Sequence, residues 1–127
     1  MTYRAPEGAV SAAGMAPLFG RQDALAMIGG DEDLLDEVIA VAREEIPRQL
    51  VALRTALAAN DAVSARRHAH TIKGTVATLC ASQVRDQAFT IEHAAKEGDL
   101  TVAASGLEPL EALVDRLLAE LDSTRKA

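Results

Sequence analysis

Between Asp31 and Ala59 the apolar residues Leu34, Leu35, Val38, Ile39, Ala42, Ile46, Leu50, Leu53 and Leu57 return at intervals of three and four. That is the repeat of one face of an amphipathic helix. The helix it predicts is roughly 40 Å long at about 1.5 Å per residue. Asp31 is placed to cap it, and Glu32 and Asp33 fall in its first turn, where negative charge suits the helix dipole. Pro47 lies inside the stripe. Because the register continues on both sides, a kink one turn upstream is expected rather than an end.

The rest of the chain reads as further helices. Order is expected from near Phe19, with Asp23 capping a short helix that stops at Gly29-Gly30. Asn60-Asp61 reads as a turn, and Asp61 caps a third helix over about 62 to 80. Ser82 is placed to cap a fourth, which ends at Gly98-Asp99 and buries Val84, Ala88, Ile91 and Ala95. A last helix runs from about Leu100 to Leu121 on the stripe Leu107, Leu110, Val114, Leu117 and Leu121. Gly106 and Pro109 interrupt it, so a kink or a late start is expected. Four long helices joined by short turns predict an all-α fold, an up-down-up-down four-helix bundle with a short extra N-terminal helix. Residues 1–17, with two prolines and two glycines among them, read as a flexible N-terminal tail or linker. Residues 18–127 form the single domain.

Composition narrows the function classes. With two Phe, one Tyr and no Trp, the core must be Leu, Val, Ile and Ala, a palette suited to helices. A net charge of −6 without a basic run argues against nucleic acid as a partner. The single cysteine, Cys80, cannot form an internal disulfide. No apolar stretch approaches the ~18 residues of a membrane span, and the N-terminus lacks a signal-peptide apolar run, so a cytoplasmic location is expected.

On a helical wheel of the third helix, Ala62, Ala65, Ala69, Ile72, Val76 and Leu79 make a buried seam. Cys80 is expected to point inward as a small core hydrophobe. His70 lies about 100° from the seam's centre, with Arg66, Lys73 and Ala77 on the same shoulder and Gly74 just beyond. A mid-helix glycine costs about 1 kcal/mol relative to alanine, and close approach of another chain beside His70 would give it a reason. The Lys73 ammonium can reach a group on the imidazole, and an exposed neutral imidazole is a nucleophile near pH 7. His68 and His70 lie about 200° apart and cannot chelate one ion, so no metal is expected. His68, with Ser64, Thr71 and Thr75, lines a polar face, and His93 is read as a solvated helix residue. Gln83 and Gln87 lie on the neighbouring helix, within range of hydrogen bonding near His70, but a role there is not expected of them.

His70-Thr71-Ile72-Lys73-Gly74, preceded by Ala69 and followed by Ala77, Leu79 and Ala81, resembles the signature of the histidine phosphotransfer family: alanine, histidine, any residue, leucine or isoleucine, lysine, glycine. Asp23 to Gly30 looks like the family's short leading helix, and Ile91-Glu92 with Gly98-Asp99-Leu100 like its fourth helix and turn. The resemblance covers roughly residues 19 to 121. It implies a four-helix bundle whose exposed histidine takes a phosphoryl group from one receiver-domain aspartate and passes it to another. His70 would be the phosphorylated nucleophile, Lys73 would help hold the phosphoryl oxygens, and Gly74 would leave access for the receiver. Arg66, Arg67 and Ala77 are candidate receiver contacts. The partners implied are response-regulator receiver domains and a hybrid histidine kinase, with the chain a monomer. The receiver would supply Mg²⁺, and this chain would bind no cofactor of its own.

Where the family often has glycine, this sequence has Cys80, which could alter the end of the third helix. The self-phosphorylating kinase pattern, an acidic residue directly after the histidine, is absent, since Thr71 follows His70. No phosphate-cradling glycine-rich loop is present either. The expectation is therefore a phosphocarrier without ATP binding or self-phosphorylation. A helical adaptor that binds partners without phosphotransfer is the alternative, but it would have no reason to keep a costly glycine beside His70. A hydrolase would need convergent ligands or carboxylates on one face, and none are read. A chemotaxis-kinase phosphorylation domain shares the short motif but belongs to a longer chain.

Overall fold

The Asp31 carboxylate accepts from the Leu34 amide at 3.0 Å, Asp61 from Ser64 at 3.1 Å and Asp99 from Val102 at 3.1 Å. Each satisfies an amide that a helix start leaves without an internal partner. In the computed structural model, which describes residues 16–124, these caps open three of six helical elements. The elements are α1 (Arg21–Met27), α2 (Glu32–Ala58), α3 (Ala62–Ala77), α4 (Ser82–Lys96), α5 (Leu100–Ser105) and α6 (Leu107–Ser123). Two expected caps differ. Gly20 precedes α1 without a side-chain cap, leaving Asp23 in the first turn, and Ala81 rather than Ser82 precedes α4. The expected tail falls on residues 1–17, of which 1–15 lie outside the described residues.

Four helices end in one way. Gly29, Asn60, Cys80 and Gly98 each take a positive φ, between 56° and 80°. In each case the next residue's amide reaches back five positions to a helix carbonyl, as Ala81 does to Val76 at 3.2 Å. This left-handed closure satisfies the last carbonyls and turns the chain back on itself. It also corrects the expectation for Cys80. α3 stops at Ala77, and Cys80 is the half-buried closing residue, not a core side chain; its Sγ lies 3.8 Å from the Asp23 carbonyl.

The reversals lay α2, α3, α4 and the α5–α6 arm side by side as a four-helix bundle, with α1 across one end. α3 packs most extensively on α4 and then on α2, while α6 closes the bundle against α4 and α2. Leu35, Ile46, Leu53, Ile72, Leu79, Ile91, Leu110, Leu117 and Leu121 are fully buried in one apolar core. Two residues of the α2 stripe stay out of the core: Leu34 is 42% exposed and Val38 only half-buried, because neighbouring Leu35 and Ile39 take the inward positions. Ala62 and Leu107 are only half-buried. Pro47 sits within a continuous α2. Glu120 accepts from the amides of Leu18 and Phe19 at 3.1 and 2.8 Å, which fixes the incoming chain.

The last arm breaks at Gly106, as its interruption predicts. Gly106 is buried, and a Cβ there would stand 2.9 Å from Ile91 Cγ1. Gln87 Nε2 donates to the Gly106 carbonyl at 3.0 Å. Gln87 is thus a clasp between α4 and the break. Among the described residues no helix is long and apolar enough to cross a membrane.

Candidate functional site

The seam of α3 turns Ala65, Ala69, Ile72 and Val76 into the core. That leaves His70 on the outer shoulder facing α4, with its side chain 64% exposed. α4 buries Val84, Ala88, Ile91 and Ala95, which brings Glu92 to the matching shoulder. The two side chains meet: Nδ1 of His70 lies 2.8 Å from Oε2 of Glu92. Lys73 Nζ lies 2.8 Å from the other oxygen, Oε1.

Glu92 is 12% exposed and Lys73 26%, so the carboxylate sits largely out of water beneath an exposed imidazole. No donor is aligned on Oε1 for a hydrogen bond, and Lys73 holds it as an ion pair instead. Burial is the largest single influence on the Glu92 carboxyl and opposes its ionisation. Contact with Lys73, then His70, together with their charges, outweighs burial and leaves its pKa below the ordinary glutamate value. Lys73 Nζ also stands 5.2 Å from the centroid of the Phe89 ring, one turn before Glu92.

An ionised carboxylate only accepts hydrogen bonds. The proton on the contact with His70 therefore belongs to Nδ1, and the lone pair of the neutral ring lies on Nε2. Beside the ring is an open groove of about 310 Å³ lined by Val63, Arg66, Arg67, His70 and Glu92. Arg66 and Arg67 are exposed, and neither guanidinium makes a hydrogen bond or ion pair among the described residues. Gly74, one turn after His70, is exposed, and a Cβ there would meet nothing within 4 Å. Ala77, one turn further, is half-buried.

The structure thus brings His70, Lys73, Gly74, Arg66, Arg67 and Ala77 onto one side of α3. His68 faces the other way, its Nδ1 2.7 Å from Gln49 of α2, so the two histidines serve different helix contacts. Thr71 and Thr75 bond to carbonyls of their own helix. His93 stacks loosely on Phe89, with ring centroids 5.9 Å apart. Among the described residues no group of three or more His, Cys, Asp or Glu could hold a metal. From the sequence, Glu92 enters only through the fourth-helix resemblance, without a site role, and Phe89 is not named. The signal was available: Ile91 faces the core, so the next residue stands on the helix shoulder, and Phe89 is three positions before it on the same side.

A sequence profile described as the Hpt domain matches residues 37–123. The chain belongs to the Hpt domain family. A solved structure, histidine-containing phosphotransfer protein B from Pseudomonas aeruginosa PAO1, superposes with a TM-score of 0.73 at 25% sequence identity. The match covers 87% of this chain and 99% of that one. No curated protein matches significantly. Family and fold together give this Hpt domain a histidine phosphotransfer function in a two-component phosphorelay, as a phosphocarrier working with receiver domains and kinases.

Proposed function

We propose that His70 carries the phosphoryl group on Nε2, taking it from one receiver-domain aspartate and giving it to another. The observation that carries this reading is the 2.8 Å contact of Nδ1 with Glu92, which leaves Nε2 as the nucleophilic nitrogen of an exposed ring. The Nε2 lone pair attacks phosphorus of the aspartyl phosphate. The N–P bond forms as the P–O bond to aspartate breaks, and the aspartate leaves as a carboxylate. The ring becomes an imidazolium that keeps its Nδ1 proton on Glu92, whose negative charge offsets the new positive one. The reverse sequence discharges the group to the next receiver. Such a loose transfer needs position and countercharge more than covalent chemistry.

Lys73 holds Glu92 ionised and in place, and its ammonium is the nearest α3 cation on the C-terminal side of the ring. Gly74 and Ala77 give the low surface over which a receiver approaches. Among the described residues no contact requires glycine at 74, which favours a requirement imposed from outside. The receivers belong to response regulators and a hybrid histidine kinase and bring the Mg²⁺ that shields the phosphoryl oxygens. The chain itself works as a cytoplasmic monomer and binds no ATP, a reading supported by the absence of a phosphate-cradling loop from its sequence.

The test is transfer from a panel of phosphorylated receiver domains, with His70→Gln as the control. The expected result is an acid-labile, base-stable label on the unsubstituted chain only. A receiver that binds but transfers no label to either protein would overturn the carrier role in favour of an adaptor.

A further inference from the structure

We infer that the groove walled by Val63, Arg66 and Arg67 receives the phosphoryl group on His70, with the two guanidinium groups rather than the Lys73 ammonium as its main countercharge. The inference rests on His70 being the phosphorylated residue.

Three observations converge on it. A helical side chain leans toward the turn before its own Cα, so the His70 ring lies over the turn that carries Arg66 and Arg67. The groove beside the ring is lined by Val63, Arg66, Arg67, His70 and Glu92, and Lys73 is not part of its wall. Charge points the same way. Lys73 stands 2.8 Å from Glu92, and with the phosphorylated ring an imidazolium this trio sums to one positive charge, which leaves the phosphoryl oxygens only partly balanced. A phosphoryl group adds close to two negative charges. Arg66 and Arg67, three and four residues before His70, offer two positive charges, and neither is engaged by a hydrogen bond or ion pair among the described residues.

The surrounding charges leave this balance in place. Glu92 is the one carboxylate in the groove wall, and its charge is matched by Lys73. Asp61 feels Arg67 but lies at the start of α3, outside the wall. Lys96, one turn beyond Glu92 on α4, does not line the groove. The planar guanidinium also suits the chemistry, because its paired N–H donors match phosphate oxygens better than an ammonium does.

A small donor separates an anion site from receiver docking. With phosphoramidate, the Nε2 lone pair forms the N–P bond as the bond from phosphorus to nitrogen breaks and ammonia leaves, and no receiver is involved. In the full chain, Arg66→Ala/Arg67→Ala is expected to slow labelling of His70 about fivefold, the size expected for two solvent-screened cations. Arg66→Lys/Arg67→Lys should recover most of that loss. Added salt should slow the unsubstituted chain and leave the alanine variant nearly unchanged. Labelling of the alanine variant at the parental rate, with only receiver-dependent transfer reduced, would overturn the inference and make the arginines receiver contacts. A chain that takes label from receivers but none from phosphoramidate would also overturn it. Failure of His70 to accept label from either source would instead remove the reading on which it rests.

Discussion

Glu92 of α4 holds Nδ1 of His70 of α3 at 2.8 Å, so the exposed imidazole is oriented by a largely buried carboxylate on the neighbouring helix. Replacing Glu92 with Gln keeps a hydrogen-bonding group and removes the charge. The amide can also donate to Nδ1, which would move the ring proton to Nε2 and block attack. Glu92→Gln is expected to slow phosphoryl transfer to His70 about tenfold, roughly the worth of one charge-assisted hydrogen bond. Single-turnover transfer from a phosphorylated receiver measures it.

The same carboxyl gives the fold a pH signature. Its pKa is lowered in the folded chain, so the unfolded chain binds a proton first as pH falls. The stability that Glu92 contributes is fully present above the ordinary glutamate value of about 4.3 and is lost as pH drops through the lower folded value. Urea unfolding across that acid range should show a shallower loss for Glu92→Gln than for the unsubstituted chain. Equal slopes would mean that the His70–Glu92–Lys73 contact does not persist in solution.

Lys73 and Glu92 should behave as one unit in stability. Lys73→Ala strands Glu92 Oε1, which has no aligned donor and only this ammonium beside it. A loss of about 1–2 kcal/mol is expected, with much of it regained in Lys73→Ala/Glu92→Gln. A double-mutant cycle by urea denaturation reads the coupling, and strict additivity would contradict the ion pair.

Gly74 and Gly106 predict opposite outcomes for the same substitution. Nothing lies within 4 Å of a Cβ at 74, so Gly74→Ala should stabilise the domain by about 1 kcal/mol. A Cβ at 106 would stand 2.9 Å from Ile91 and 3.2 Å from Gln87, so Gly106→Ala should destabilise by about 1–3 kcal/mol. Gly74→Leu should also keep the fold while reducing receiver-dependent transfer. Unimpaired transfer with leucine at 74 would remove the argument that a partner needs this glycine.

Cys80 has φ +57, a backbone conformation that glycine adopts without strain and a side chain resists. Cys80→Gly is expected to raise stability by up to about 1 kcal/mol, after the entropy of a freer unfolded chain is allowed for. A higher urea midpoint at constant slope would establish it. The position closes α3 and lies apart from His70, so phosphoryl transfer should be unchanged.

Much of this was legible in the sequence, because helix formation and its termination are local. The stripe from Leu35 to Leu57, the caps Asp31 and Asp61, the stops at Gly29 and Gly98 and the break near Gly106 each follow from residues within a turn or two of one another. The wheel also put His70, Lys73 and Gly74 on the outer shoulder of α3. What failed was similarly local in cause. Asp23 and Ser82 are good capping residues, but the chain enters α1 and α4 one to three residues earlier. Cys80 looked apolar enough for the core, yet the reversal after α3 needed a left-handed residue at that position.

Spacing along one segment was enough to specify the helices, their apolar faces and the outer shoulder on which His70 stands. Which side chain His70 meets follows from the packing of helices instead. Glu92 lies 22 positions from His70, and the two come together because α3 and α4 each bury an apolar stripe against the same core. That packing fixes the relative rotation of the two helices, and with it the ring nitrogen left free to react.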